Sequence, residues 1–108
     1  MSGTVFVERR FGSLKGEVIA RFEVPYLAPS GEYRCRWRIV GPDRERTLET
    51  AGIDGVQALM LALRTVNSEL TETAAYQAVE ITYLDQSDLD LPPTWGSGQL
   101  YDVGHKPA

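Results

Sequence analysis

A chain of 108 residues, 43% hydrophobic and 24% charged, has the size and composition of one globular domain. It is too short for two domains, too apolar for a disordered chain, and with a single cysteine it is no disulfide scaffold. The net charge of −4 argues against general nucleic-acid binding, which needs clustered Lys and Arg.

The first predicted element is a strand over residues 4–11, carried by Val5, Phe6 and Val7. Gly12 and Gly16 bracket a turn. Residues 17–26 predict a second strand, with Val18, Ala20, Phe22 and Val24 on one face and Pro25 ending the ladder. After a turn at 28–31, residues 32–40 give the cleanest pattern. Tyr33, Cys35, Trp37 and Ile39 alternate with Arg34, Arg36 and Arg38. A period of two means one buried and one wet face, which favours antiparallel pairing. A further turn at 41–43 leads to a short strand over 46–51.

Residues 54–73 predict the one long helix. Asp54 and Gln57 have the spacing of a capping box. Gly52 supplies backbone freedom just ahead of it. Val56, Leu59, Met60, Leu63, Val66 and Leu70 make an apolar stripe at helical spacing. A last strand is expected over 78–84, with Val79, Ile81 and Tyr83 on one face. The predicted fold is α+β. It is a two-layer sandwich in which one long helix covers one face of a mainly antiparallel sheet of four or five strands, in the order ββββαβ. The domain is expected to span 1–84, followed by an irregular acidic tail over 85–108, partly docked through Trp95.

Four features bear on function. Arg34, Arg36 and Arg38 form a row about 7 Å apart along one strand, an anion-binding candidate. The competing reading is a solvated face balanced by Glu17, Glu23 and Glu49. Second, residues 1–50 carry nine basic and seven acidic side chains, whereas 51–108 carry two and eight. The acidic stretch 85–90 can therefore fold onto the arginine row, in the same chain or in a second copy. Third, Leu61 projects about 180° from the apolar stripe. With Ala58 and Trp95 it marks a candidate contact for a partner, a second copy or the tail. Fourth, Cys35 alternates with core aromatics and reads as an inert thiol.

No catalytic, cofactor or metal motif emerges. His105 is the sole histidine and lies near the chain end. Gly96-Ser97-Gly98 lacks the strand-to-helix context of a phosphate loop. Asp85, Asp88 and Asp90 lack the spacing of an EF-hand. Without an n-region, an apolar h-region or a spanning segment, the expected compartment is the cytoplasm, with no membrane contact.

The run Gly52-Ile53-Asp54-Gly55-Val56-Gln57-Ala58-Leu59-Met60-Leu61-Ala62-Leu63 resembles the helix start of a family of short, uncharacterised bacterial domains. There, an aromatic strand like 33–39 precedes the helix, and a short strand and an acidic, Gly/Pro-containing end like 85–93 follow it. The resemblance spans about residues 4–93. It implies a small bacterial domain and brings no activity, substrate or cofactor. The leading expectation is a non-enzymatic module that binds a protein or itself, as a homodimer. The alternative is anion or nucleic-acid binding through the arginine row; a small-molecule enzyme or receptor is a weaker one.

Overall fold

The computed structural model describes residues 4–92. Five strands, β1 (Val5–Phe11), β2 (Val18–Glu23), β3 (Tyr26–Leu27), β4 (Tyr33–Val40) and β5 (Glu45–Gly52), precede two helices, α1 (Gly55–Glu72) and α2 (Ala74–Gln77). All strand pairs are antiparallel. β4 is central: β5 runs along one side over its full length, and β2 and β3 share the other. The second expected strand is thus split in two around Val24 and Pro25, because proline has no N–H to offer the ladder. β1 forms the outer strand beside β2 and is irregular between Val5 and Val7. That irregularity accounts for the mixed facing of Val5, Phe6 and Val7, all exposed.

The alternation in β4 works as expected. Cys35, Trp37 and Ile39 are fully buried, with Val18, Ala20 and Phe22 beside them on β2. α1 lies over this face, packed on β4 and β5. Its start is capped as the sequence implies: Gln57 N donates to Asp54 Oδ1 at 2.8 Å, and Ile53 N to Gln57 Oε1 at 2.8 Å.

The helix is rotated from the expected orientation. Its buried residues are Ala58, Ala62, Val66 and Leu70, at strict i, i+4 spacing. Leu59 and Leu63 are only partly buried, and Val56 and Met60 are exposed. Ala58, expected at the surface beside Leu61, is therefore in the core and has no area to offer a partner. Leu61 is half-buried. The physical reason is the distance between layers. Small side chains at the centre of the contact bring the helix backbone close to the sheet, and the large volume comes from Trp37 beneath. Gly52 serves the same close approach. Its φ is not positive; instead, a Cβ there would lie 2.5 Å from Ala58 N.

The last expected strand, 78–84, contacts the sheet but forms no ladder. A turn following α2 occupies its first residues, 78–80, and isolated bridges follow, Gly12 with Thr82 and Tyr83 with Gln86. Leu84 and Asp85 both have positive φ, 49° and 66°. With the reciprocal bonds Tyr83 N to Gln86 O and Gln86 N to Tyr83 O, they form a two-residue hairpin turn of the primed type. The segment expected as an irregular tail from residue 85 then contributes Leu89 and Leu91 to the core. Arg9 secures it. Its Nη1 donates to the carbonyls of Leu89 and Asp90 at 3.0 and 2.7 Å, and its guanidinium lies 4.4 Å above the Tyr83 ring. Trp95 and His105 lie outside the described residues.

Candidate functional site

Three surfaces carry the residues singled out above. The first is the face of the sheet away from α1. β4 places Arg34, Arg36 and Arg38 there in a row, and neighbouring strands place carboxylates among them. Arg34 pairs with Glu32 at 2.7 Å and with Glu49 at 3.5 Å, and Arg36 with Glu49 at 3.4 Å. On β1 and β2, Glu8 takes both Arg21 at 3.2 Å and Arg10 at 2.9 Å, and Glu17 takes Arg10 at 2.8 Å. Tyr26 Oη donates to Glu49 at 2.7 Å. That bond, followed by the nearby guanidiniums of Arg36 and Arg34, holds the Glu49 carboxyl below the usual range. Within the row, only Arg38 lacks a carboxylate within 4.0 Å among the described residues. Its cross-strand neighbours are Arg21 and Thr47. Such exposed pairs contribute little to stability in water, but they occupy Arg34 and Arg36. The acidic stretch near residue 88 does not cover this row: Leu89 and Asp90 meet Arg9, on the other side of the sheet.

The second surface is the exposed flank of α1. Ile53 is 80% exposed, Val56 68% and Met60 40%. Partly buried Leu59 and Leu63 lie between them and the core. Leu63 also lines a cavity of about 150 Å³ with Val7, Phe22, Leu91 and Pro92. The flank facing β5 is polar by contrast. There Thr50 Oγ1 donates to the Ala58 carbonyl at 2.9 Å, and Arg46 pairs with Glu69 at 3.0 Å. Leu61 shares that side by helical spacing, eight residues before Glu69.

The third is a cavity of about 220 Å³ where the β1–β2 turn, the β4–β5 turn and α2 meet, lined by Lys15, Pro42, Asp43, Arg44, Ala75, Tyr76, Ala78 and Val79. Sequence reasoning missed it, because Tyr76 fell between an expected helix and an expected strand.

Among the described residues, no group of three or more His, Cys, Asp and Glu side chains is placed to hold a metal ion. Among the described residues, too, no helix is long and apolar enough to cross a membrane. Cys35 is buried and free. Its Sγ donates to the Glu23 carbonyl at 3.4 Å, and burial, reinforced by the charges of Glu23 and Glu49, pushes the thiol up to about 11. A thiol held in that state is a poor nucleophile.

A family model described as a domain of unknown function matches residues 7–93. No curated protein and no solved structure matches the chain.

Proposed function

The chain belongs to the DUF6968 family of domains of unknown function, and from the geometry we propose that it is a non-enzymatic, cytoplasmic protein-interaction module that pairs with a second copy of itself through α1. The observation that carries this reading is the mismatch between the apolar stripe of α1 and the face it buries. Val56, Leu59, Met60 and Leu63 recur at i, i+3, i+4 and i+7, yet Val56 and Met60 point to water. With Ile53, the strip runs about 15 Å along the helix. Such a strip is self-complementary, since its ridges fit the grooves of an identical helix related by a two-fold axis. Gln57, Arg64 and Asn67 give it a polar rim. Asp54 stands near one end and Arg64 near the other, so antiparallel pairing brings each Arg64 towards the Asp54 of the other copy. The exposed flank, rather than Leu61, is the contact this reading requires.

Sedimentation velocity over a concentration series tests it. The wild type is expected to dimerise, and Val56→Glu and Met60→Glu to be monomeric with unchanged melting temperatures, because both positions are already exposed. Leu61→Lys, on the other flank, should leave the association constant intact. A wild type that stays monomeric at about 1 mM, where an interface worth about 4 kcal/mol is visible, refutes the proposal.

A further inference from the structure

α1 packs chiefly on β4 and β5 and meets β2 only at its margin, so the β1 side of the same sheet face is left without a helix. Val7 shows the consequence. It pairs with Phe22 across the ladder and shares its face, yet it is 44% exposed where Phe22 is buried. Between this strip and α1 lies the cavity of about 150 Å³ whose apolar wall is Val7, Phe22, Leu63, Leu91 and Pro92. Its polar lining is largely engaged: Glu8 pairs with Arg10 and Arg21, and Arg9 holds the carbonyls of Leu89 and Asp90. The space therefore offers packing rather than hydrogen bonds. An apolar cavity of about this volume has room for one benzene-sized ring.

The course of the chain supplies the occupant. Thr82 bridges Gly12, the carbonyls of Leu89 and Asp90 meet Arg9, and Leu91 and Pro92 share the cavity with Val7. The segment thus runs along β1 from its end towards its start. The described residues stop at the cavity wall, and residues 93–108 follow. Pro93 and Thr94 come next, and the first large apolar side chain after them is Trp95. Three residues span at most about 10 Å, so Trp95 is tethered close to the cavity. We propose that Trp95 seats its indole ring there, against Val7 and Leu63, and that the C-terminal segment closes the part of the sheet face that α1 leaves open. The cavity opens to solvent, so an indole can bury its apolar ring while its N–H stays hydrated. A tether this short gives an effective concentration in the millimolar range, and modest burial then suffices to hold the contact. The seat takes the Leu63 end of the α1 flank and leaves Ile53, Val56 and Met60 clear, so it is independent of self-pairing.

The test is NMR on the full chain with isotope-labelled methyl groups. Nuclear Overhauser contacts are expected from the Trp95 indole protons to the methyls of Val7 and Leu63, assigned by their loss in Trp95→Ser, and they should survive dilution. They should also survive in Val56→Glu, which abolishes self-pairing, so the two proposals can fail separately. Val7→Lys places a charge in the apolar wall and should abolish the contacts. Because Trp37 is fully buried, quenching of the tryptophan fluorescence by acrylamide reads Trp95 directly: it should be weak in the wild type and rise severalfold in Val7→Lys. Should Val7→Lys fail to fold, Trp95→Ser decides, by the amide shifts it causes at Val7, Arg9, Leu63 and Leu91. Absence of contacts to Val7 and Leu63, an indole as readily quenched as free tryptophan, or no shift at those amides overturns the assignment. Contacts found only between labelled and unlabelled copies in a mixed sample also overturn it, since a second copy would then fill the seat.

Discussion

Two glycines three residues apart give the sharpest test of how α1 sits on the sheet. At Gly52, the last residue of β5, a Cβ would lie 2.5 Å from Ala58 N, 3.0 Å from Ala58 Cα and 3.0 Å from the carbonyl carbon of Gln57. These are backbone atoms of the first turns of α1, so no side chain can swing aside. The layers must open by roughly 1 Å to restore ordinary contact. The Thr50 Oγ1 bond to the Ala58 carbonyl, 2.9 Å, spans that gap and is lost with it. Overpacking costs about 1–3 kcal/mol and the bond about 1 kcal/mol more. Gly52→Ala should therefore destabilise the domain by about 2–4 kcal/mol, a fall in Tm on the order of 10–25 °C.

Gly55, the first residue of α1, is the control. A Cβ there meets Pro25 Cβ at 3.6 Å and Tyr33 Cδ2 at 4.0 Å, both comfortable distances. Its backbone is helical, so Gly55→Ala should stabilise by about 0.4–1 kcal/mol through the unfolded chain. Urea unfolding followed by circular dichroism measures both. Shifts of the same sign, or a Gly52→Ala variant within about 0.5 kcal/mol of wild type, would show that the helix does not rest on Gly52 and that the close approach through Ala58 and Ala62 is misread.

Two further outcomes follow from buried and paired groups. Cys35, with its thiol pushed up to about 11 by burial, should resist a thiol reagent at pH 8 in the native state and react at the rate of unfolding; rapid labelling of the folded protein would contradict its place in the core. Glu32 is held down to about 2, from an ordinary 4.5, first by the Ser30 hydroxyl and then by Arg34. Because its folded value is depressed, its contribution is full above pH 4.5 or so and fades as the pH falls towards 2. Glu32→Gln should therefore lower Tm at neutral pH, with the gap to wild type closing across that acid window. A gap of constant size would mean that the carboxylate charge contributes nothing there.

Much of the fold is legible in the residues, for reasons that can be located. The alternation from Tyr33 to Ile39 sorts β4 into two faces because a strand has a period of two, and one buried face is enough to fix it. Asp54 announces the start of α1 because an orphan N–H needs an acceptor. The orientation of α1 is harder to read. The six large apolar residues of its stripe outweigh Ala58 and Ala62 on any hydrophobic scale, but packing also depends on how near two backbones come. At the start of α1 that approach is set by Gly52, where a Cβ would lie 2.5 Å from Ala58 N. The hairpin at Leu84 and Asp85 is hidden for a related reason. Its two left-handed residues lack the Asn-Gly signal, and the turn is held by partners far off in the chain, Phe11 edge-on to the Tyr83 ring at 6.1 Å and Gly12 bridged to Thr82.

The candidate sites divide along the same line. The arginine row stands out in the sequence because three like residues share one strand, and part of its balance is legible too: Glu32 lies two residues before Arg34 on the same face, while the register of β5 brings Glu49 opposite Arg36. The exposed flank of α1 follows once the rotation is known: the same Val56 and Met60 that make the stripe look like core make the surface look like an interface. The cavity around Tyr76 has no linear trace at all. It takes Lys15 from one turn, Arg44 from a second and Tyr76 from a four-residue helix, so it exists only after everything else has packed.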